Sequence, residues 1–453
     1  MQFELTKDFI DHLIDIIDRK DEKTALSIME ELHAADIAEI YDELNIEQGK
    51  FLYLLLDADK ASDVLAELED DDREKFLLAL PSELIARQFI EEMDSDDAAD
   101  VLADLPSEKI DEVLSHIEDI EQAGDIVDLL SYDEDTAGGL MAKELISVNE
   151  NWDVNSCIEE IRKQAEEVED VYNVYVIDDD SKLRGLLSLK KLILTNPKTK
   201  IAAICQSDIK FVKTNMPSED VANIMQKYDL VSIPVVDNIG RLVGRITIDD
   251  VVDVMQEEAE KDYQMASGIT EDVESSDKIW VQIRARLPWL LIGMVGGTFG
   301  ALVLGNFEGD IMKYAGLAFF IPMINAMAGN VGVQSSAIVV QSLANKSIGI
   351  ESIASKLFRE LGVGLINGII CSGLIFAFNL LVYDNLPLTI TVSLSLFSVI
   401  IFASVFGTFI PLALNRFKID PAVATGPFIT TVNDIVGLII YLFMGRMLFA
   451  MYL

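Results

Sequence analysis

Asp434 lies in Thr430-Thr431-Val432-Asn433-Asp434-Ile435-Val436-Gly437, a run that is apolar on both sides of the carboxylate. Burying a carboxylate at the centre of a membrane-spanning helix costs about 2.5–3.5 kcal/mol on insertion scales, so such a group normally faces a watery cavity or a partner. Arg446, twelve residues on in the same stretch, is the only Lys or Arg inside the apolar stretches, and none is an obvious partner for it. The chemistry this position predicts is a cation site. The plainer alternative is an Asp that only hydrogen-bonds a neighbouring helix.

A second polar group lies upstream. Pro322, Asn325, Gly329, Asn330, Gly332, Gln334, Ser335 and Ser336 bring small and amide-bearing residues into one apolar stretch. Small residues let helix backbones approach, and amide oxygens of Asn330 and Gln334 can accept bonds from the water of a hydrated ion. Ordinary helix packing through Gly and Ser is an equal alternative for any one of them. Mg²⁺ gives up its water reluctantly, so a wide site with one carboxylate and amide oxygens suits it while still hydrated. Soft metals would want Cys, Met or His, and the apolar stretches hold no His and one Cys, although Met is plentiful. Mg²⁺ therefore leads, with Mn²⁺, Co²⁺ and Ca²⁺ left open.

The elements that carry these groups follow from composition. The chain has 453 residues, a net charge of −42 and 50% hydrophobic residues, a combination that one domain rarely shows. Residues 277–453 contain 8 acids and 10 Lys or Arg, so 69 of the 77 acids and 25 of the 35 bases lie before Asp277. That acidic part repels nucleic acid and anionic lipid, and divalent cations would relieve its self-repulsion. Cys157, Cys205 and Cys371 are isolated, and His12, His33 and His116 are the only histidines, which argues against zinc, haem, iron–sulfur and disulfide frameworks. With Glu4 and Asp8 and no long apolar run, the N-terminus does not read as a signal peptide, so the acidic part is expected in the cytoplasm.

Five apolar stretches near the length of a spanning helix are placed at 287–305, 314–343, 361–383, 389–415 and 427–452. Basic residues flank alternate ends: Arg284 and Arg286, then Lys346, Lys356 and Arg359, then Arg416 and Lys418. The opposite loops offer Lys313 with Glu308, Asp310 and Asp384. This predicts a multi-pass protein of the plasma (inner) membrane, N-terminus cytoplasmic and C-terminus outside, with Arg446 reading against the rule.

Between residues 141 and 260 the chain repeats itself. Tyr175-Val176-Ile177-Asp178 and Leu183-Arg184-Gly185 recur, 59 residues on, as Pro234-Val235-Val236-Asp237 and Leu242-Val243-Gly244. Each copy reads as helix, strand, turn, strand and closing helix. This resembles a tandem pair of CBS domains, whose ribose-binding pattern is met by Gly244, Thr247 and Asp250; in the first copy Lys191 stands where the pattern wants Asp. The resemblance implies ATP or a related adenine nucleotide. Residues 1–135 show helical periodicity, and Ala35-Asp36-Ile37, Ser62-Asp63-Val64 and Ala99-Asp100-Val101 suggest a repeated unit that opens helices, hence an all-α superhelical domain. Residues 261–286, preceded by an acidic run, are expected to link it to the membrane part as one or more helices.

Taken together, Asp135-Thr136-Ala137-Gly138-Gly139-Leu140-Met141, Gly329-Asn330 with Gly332, Gln334 and Ser335, Asp420-Pro421-Ala422, and Asp434 with Gly437 and Leu438 resemble the MgtE family of magnesium channels over nearly the whole chain. The resemblance implies a multidomain membrane protein: an all-α N domain (1–135), an α/β tandem CBS pair (136–260), a linking or plug helix (261–286) and a five-helix transmembrane domain (287–453). It further implies a homodimer with Asp434 binding hydrated Mg²⁺ in a pore on the dimer axis. Regulatory Mg²⁺ would bind Glu219, Asp229, Asp250, Asp253 and Asp420, with N-domain ligands among Asp94, Asp96, Asp97 and Asp100. Lys261, which interrupts the acidic run, and Gly426-Pro427 depart from that pattern.

The expected function is Mg²⁺ entry that high cytoplasmic Mg²⁺ shuts off by bridging acidic groups. Ion-coupled divalent transport and a membrane-anchored nucleotide sensor are the alternatives. An enzyme is least expected, since no nucleophile-and-base pair, Walker loop or metal triad is present.

Overall fold

The computed structural model describes the chain except residues 1–4, 42, 69, 166–167, 169–170, 271–272, 274–277, 345–352, 384, 425 and 453. Glu4, Lys346 and Asp384, used above for orientation, lie outside the described residues. The chain forms two compact units, Met1–Gln256 and Glu257–Leu453.

Ten short helices, α1–α10, run from Lys7 to Leu129. In α1 (Lys7–Asp18) the buried stripe Ile10, Leu13 and Ile17 recurs at helical spacing, and Thr6 caps the first turn. Asn45 and Gln48 form a capping box further on. Successive turns are tied by side chains that reach back about thirty residues: Lys60 Nζ donates to Leu32 O at 2.6 Å, Lys109 Nζ to Leu80 O at 3.0 Å, and Gln122 Nε2 to Met93 O at 3.2 Å. Each such bond satisfies carbonyls left orphaned at a helix end. Tyr53 and Phe76 stack at 4.5 Å in the core, with Tyr41 and Phe89 edge-on.

The Asp-containing repeat does not open its helices in the two later copies. Ser62-Asp63-Val64 lies inside the helix Ala58–Ala66, which Asp57 caps, and Ala99-Asp100-Val101 lies inside α8 (Ser95–Ala103). There the small and β-branched residues are buried and the Asp between them faces out.

Two three-stranded sheets follow. The first joins β1 (Ile146–Asn149) parallel to β2 (Val174–Ile177) through α11 (Val154–Gln164), and β2 antiparallel to β3 (Leu183–Leu187), before α12 (Leu189–Leu194). The second repeats this with β4 (Val212–Lys213), α13 (Ser218–Tyr228), β5 (Ser232–Val236) and β6 (Leu242–Thr247). Each copy thus opens with a strand that the sequence reading lacked; β4 has only two residues, too few to show a period. The hairpins pair reciprocally at their tips, Leu183 N to Gly240 O at 3.1 Å and Leu242 N to Ser181 O at 3.0 Å. In each, an Asp accepts the backbone N–H four residues on: Asp178 from Lys182 and Asp237 from Arg241, both at 2.9 Å.

The closing helix of the second copy, α14 (Ile248–Ser267), continues unbroken into the linking segment, ends at Gly268 with φ 83°, and is followed by α15 (Ile279–Asn306). Residues 261–267 of the linker are therefore the end of a helix that begins at the β6 end, and residues 279–286 are the opening turns of α15. Thr270 then bonds Ala285 O through both N (3.1 Å) and Oγ1 (3.0 Å).

Five described helices are long and apolar enough to cross a membrane. They are α15; a 3₁₀ turn (Ala315–Phe320) running into α17 (Ile321–Ala344); α18 (Ile353–Val382); α19 (Leu386–Arg416); and α20 (Gly426–Tyr452). A short α16 (Glu308–Lys313) follows α15. The first and third begin eight residues before the apolar stretches suggested, because polar residues can continue a helix past the hydrocarbon. α19 is the most enclosed, burying Val392, Leu396, Val399 and Ala403.

Candidate cation sites

In the membrane unit, Asp434 sits where α20 meets α17 through glycines. A β-carbon added at Gly329 would stand 3.4 Å from Asp434 Oδ1 and 3.1 Å from Thr430 Cγ2; at Gly332 it would collide with the Asn433 amide. One turn along α20, a β-carbon at Gly437 would be 3.0 Å from Ala328 Cβ. Missing side chains therefore set this seam. Thr430 and Thr431 turn their hydroxyls to the carbonyls of Gly426 (2.9 Å) and Pro427 (2.7 Å) on their own helix. Asp434 is left partly exposed, with no hydrogen-bond partner among the described residues.

Asn433 is fully buried, and neither its Oδ1 nor its Nδ2 has a protein partner; Asn325 Oδ1 is likewise buried and unpartnered. An unsatisfied buried amide costs about 1–3 kcal/mol, so these groups favour a polar occupant such as water or a hydrated ion. Asn330 and Gln334, one turn apart on α17, are both exposed at the surface of the single chain.

Sequence reasoning missed Glu360. Its third span began at 361, whereas α18 begins at Ile353 and carries Glu360 within it. Oε1 of Glu360 accepts Ser335 Oγ at 2.6 Å and Ser404 Oγ at 2.7 Å.

In the first unit a carboxylate cluster forms at the start of α8. Carboxylate oxygens of Asp94, Asp96 and Glu144 lie within 4.8 Å of one another. Ser95 fastens Glu144 there, donating N–H to Oε1 at 3.1 Å and Oγ to Oε2 at 2.7 Å, and accepting Lys143 N–H at 3.0 Å. Lys143 Nζ in turn holds Asp128 at 2.5 Å. Glu144 is 48 residues from Asp96, with no local pattern to announce it.

Burial first, then repulsion from Asp250, Asp97, Asp94 and Glu144, pushes the Asp96 carboxyl well above the usual range. The Asp97 carboxyl is pushed to about 7 by the bulk of chain around it and then by Asp250 and Asp94, although water still reaches its outer face. Asp100, although its outer face is exposed, also rises to about 7, through desolvation by the surrounding chain and then Asp97, with Arg73 opposing. Asp250 is raised by desolvation against the Thr247 hydroxyl bond that lowers it, and Asp253 by desolvation and Asp249. Such crowding marks a site that a hard divalent ion with oxygen ligands would relieve.

The remaining positions are dispersed. Glu219 and Asp229 occupy opposite ends of α13, both exposed, so one chain does not bring them together. Asp420 is exposed and caps the turn before α20, accepting Ala422 N–H at 2.8 Å. Gly244 is needed for packing: a β-carbon there would stand 2.7 Å from Met141 Sδ. Thr247 Oγ1 donates to Asp250 Oδ2 at 2.7 Å, so this pair already engages itself.

Comparison with known proteins follows the same divisions. Residues 321–444 match the family described as MgtE, divalent cation transporter; residues 32–135 match the MgtE intracellular N domain; residues 137–195 and 201–257 match CBS domains. The magnesium transporter MgtE of Thermus thermophilus is 32% identical over 94% of this chain and 96% of its own length. That of Bacillus subtilis is 34% identical over 92% of each. A crystal structure described as the cytosolic domain of the Mg²⁺ channel MgtE in complex with ATP is 34% identical, covers 54% of this chain and 99% of its own, and has a TM-score of 0.51.

Proposed function

The chain belongs to the MgtE family of magnesium transporters, and on that premise we propose that it carries Mg²⁺ into the cytoplasm past Asp434 and that cytoplasmic Mg²⁺ closes this route. The observation that carries the reading is the α17–α20 seam: a partly exposed carboxylate without a hydrogen-bond partner, beside a buried amide that also lacks one. A hydrated Mg²⁺ offers that seam charge to Asp434 and water hydrogens to amide oxygens, and keeps the water it is reluctant to lose.

The pathway is proposed to lie between two copies of the chain. Asn330 and Gln334, exposed here, and Asp434 would then face their symmetry mates across an aqueous axis, while apolar faces of α15 and α18 meet lipid. N-terminus inside and C-terminus outside follow from the flanking basic residues.

Closure is proposed to work through Asp94, Asp96, Asp97, Asp250 and Glu144, with Asp253, Glu219, Asp229 and Asp420 as further acidic ligands. A cation that binds the compact arrangement more tightly than the loose one shifts the balance by that difference, and several weak sites can jointly supply a few kcal/mol. An adenine nucleotide at the CBS pair belongs to the same proposal: its ribose hydroxyls would compete with Thr247 for Asp250.

The test is Mg²⁺ flux into liposomes containing the purified chain, with Mg²⁺ on the side of the acidic domains varied. Flux that falls as that concentration rises supports the reading. Flux that requires an opposing Na⁺ or H⁺ gradient would replace it with coupled transport.

A further inference from the structure

Glu360 and Asp434 are both carboxyl groups on membrane-spanning helices, and their surroundings differ. Asp434 has no hydrogen-bond partner among the described residues. Glu360 Oε1 takes two, from Ser335 on α17 and Ser404 on α19, which are 5% and 1% exposed.

Those two serines depart from the habit of their neighbours. Thr298, Ser342, Ser398, Thr430 and Thr431 each donate to the carbonyl four residues earlier on their own helix. That local bond is the ready choice for a hydroxyl in an apolar helix, since it requires no tertiary geometry. Ser335 and Ser404 forgo it and converge on Oε1 of Glu360 on a third helix, Ser404 Oγ lying also 3.4 Å from the Glu360 carbonyl.

The contact sits within a close-packed seam. On α18, Gly364 follows Glu360 by four residues and Gly368 by eight; β-carbons there would come within 3.1 Å of Ser404 and 2.9 Å of Phe397. On α17, Ser335 is three residues past Gly332 and six past Gly329, about 4.5 and 9 Å along the axis. α19 also approaches α17 at Gly332, where a β-carbon at Gly407 would be 3.0 Å from Gly332 Cα. The clasp thus fixes α17 just beyond the turns that face Asn433 and Asp434.

We infer that Glu360 is a positioning residue for ion passage: it holds the axial register of α17 so that Gly329 and Gly332 lie against Asp434 and Asn433, and so sets discrimination between Mg²⁺ and K⁺. Glu360 does not meet the ion. The inference rests on the proposed role of Asp434 for its flux consequence, whereas the register itself is a property of the packing.

The full chain in liposomes provides the first arm, comparing Mg²⁺ with K⁺ flux for wild type, Glu360→Gln, Glu360→Ala and the double variant Ser335→Ala/Ser404→Ala. Gln retains an oxygen able to accept both hydroxyls, so its flux ratio should stay at the wild-type value. Ala, and the double serine variant, which changes volume little, should lower the ratio about tenfold, equivalent to about 1.4 kcal/mol of lost discrimination. A double serine variant with the wild-type ratio would overturn the inference. So would Glu360→Gln as damaging as Ala, because the charge itself would then serve the ion.

The second arm does not use flux. In a chain lacking Cys157, Cys205 and Cys371, Ala328→Cys and Gly437→Cys place β-carbons 3.0 Å apart, so that a shift of about half an ångström brings them into disulfide range. Oxidative cross-linking should fall when the two serines are replaced; an unchanged yield would overturn the register claim. Wild-type liposomes without Mg²⁺ flux, together with a falling yield, would instead remove the proposed role of Asp434 and leave the clasp standing.

Discussion

Arg446 on α20 grips Asp310 on α16 with Nε and Nη2, each 2.7 Å from the same Oδ2. Its guanidinium also lies 4.4 Å from the centre of the Phe307 ring. The one base that reads against the charge rule is therefore matched locally by an acid at the neighbouring helix end. With both groups partly exposed, the pair should contribute about 1 kcal/mol or less. Arg446→Ala is expected to lower the melting temperature by only about 2–4 °C. Cysteine labelling from each side of the membrane should show the orientation unchanged.

Asp434→Ala and Asp434→Asn are expected to abolish most Mg²⁺ flux while the chain still assembles, since no described residue depends on this carboxylate for a hydrogen bond. Size-exclusion profiles report assembly and liposome uptake reports flux. Undiminished Mg²⁺ uptake in either variant would remove Asp434 from the pathway.

The two seam glycines should respond differently. At Gly329 a methyl group meets Thr430 Cγ2 at 3.1 Å, a few tenths of an ångström too close, so Gly329→Ala should fold and alter conduction at Asp434. At Gly332 it meets the Asn433 amide, itself fully buried, and overpacking of that kind costs about 1–3 kcal/mol. Thermal unfolding should rank Gly332→Ala below Gly329→Ala.

Asp97 and Asp100 give the acidic domains a pH dependence of definite sign. Each folded carboxyl holds its proton up to about 7, against 3.8 in the extended chain. Such groups stabilise the compact state fully at low pH, and that stability is lost as pH rises through the interval up to about 7. In chelator, the unfolding temperature of the acidic unit should rise when pH falls from 8 to 6. Millimolar Mg²⁺ should flatten the curve by taking the place of the protons. A transition that moves downward on acidification would contradict this.

Neutralising Asp250 and Asp253 together, as Asn, should leave uptake at low Mg²⁺ intact and raise the Mg²⁺ concentration needed for inhibition. Patch recordings with inner-face Mg²⁺ varied would measure the shift. Inhibition at the wild-type concentration would exclude these two acids from sensing.

The parts of this arrangement that were legible in the sequence are those with local signatures. Spanning helices show as apolar runs, the 59-residue repeat exposes the paired sheets, and Asp434 stands out because its neighbours are apolar. Strand β4 was missed because two residues give no usable period, and β1, as long as β2, was missed because β1 and β4 fall outside the 59-residue offset that exposed the other strands. Glu360 was missed because it lies at the polar edge of an apolar run, where only the serines on two other helices reveal its place. Glu144 was missed for a similar reason: it meets Ser95 across 49 residues of chain. The repeated Asp motif was read as a helix start, whereas Asp57 and Asp94 hold those positions several residues earlier.

Lys60, Lys109 and Gln122 each stitch a turn of the N-terminal superhelix to chain about thirty residues earlier. In an array held mainly by contacts between neighbouring turns, a change at one end costs the far turns little. Asp94, Asp96 and Asp97 lie well along that array, beyond the Lys60 stitch and fastened onward through Ser95 to Glu144. Loss of the Lys60 stitch should therefore loosen the early turns before it disturbs the spacing of these carboxylates.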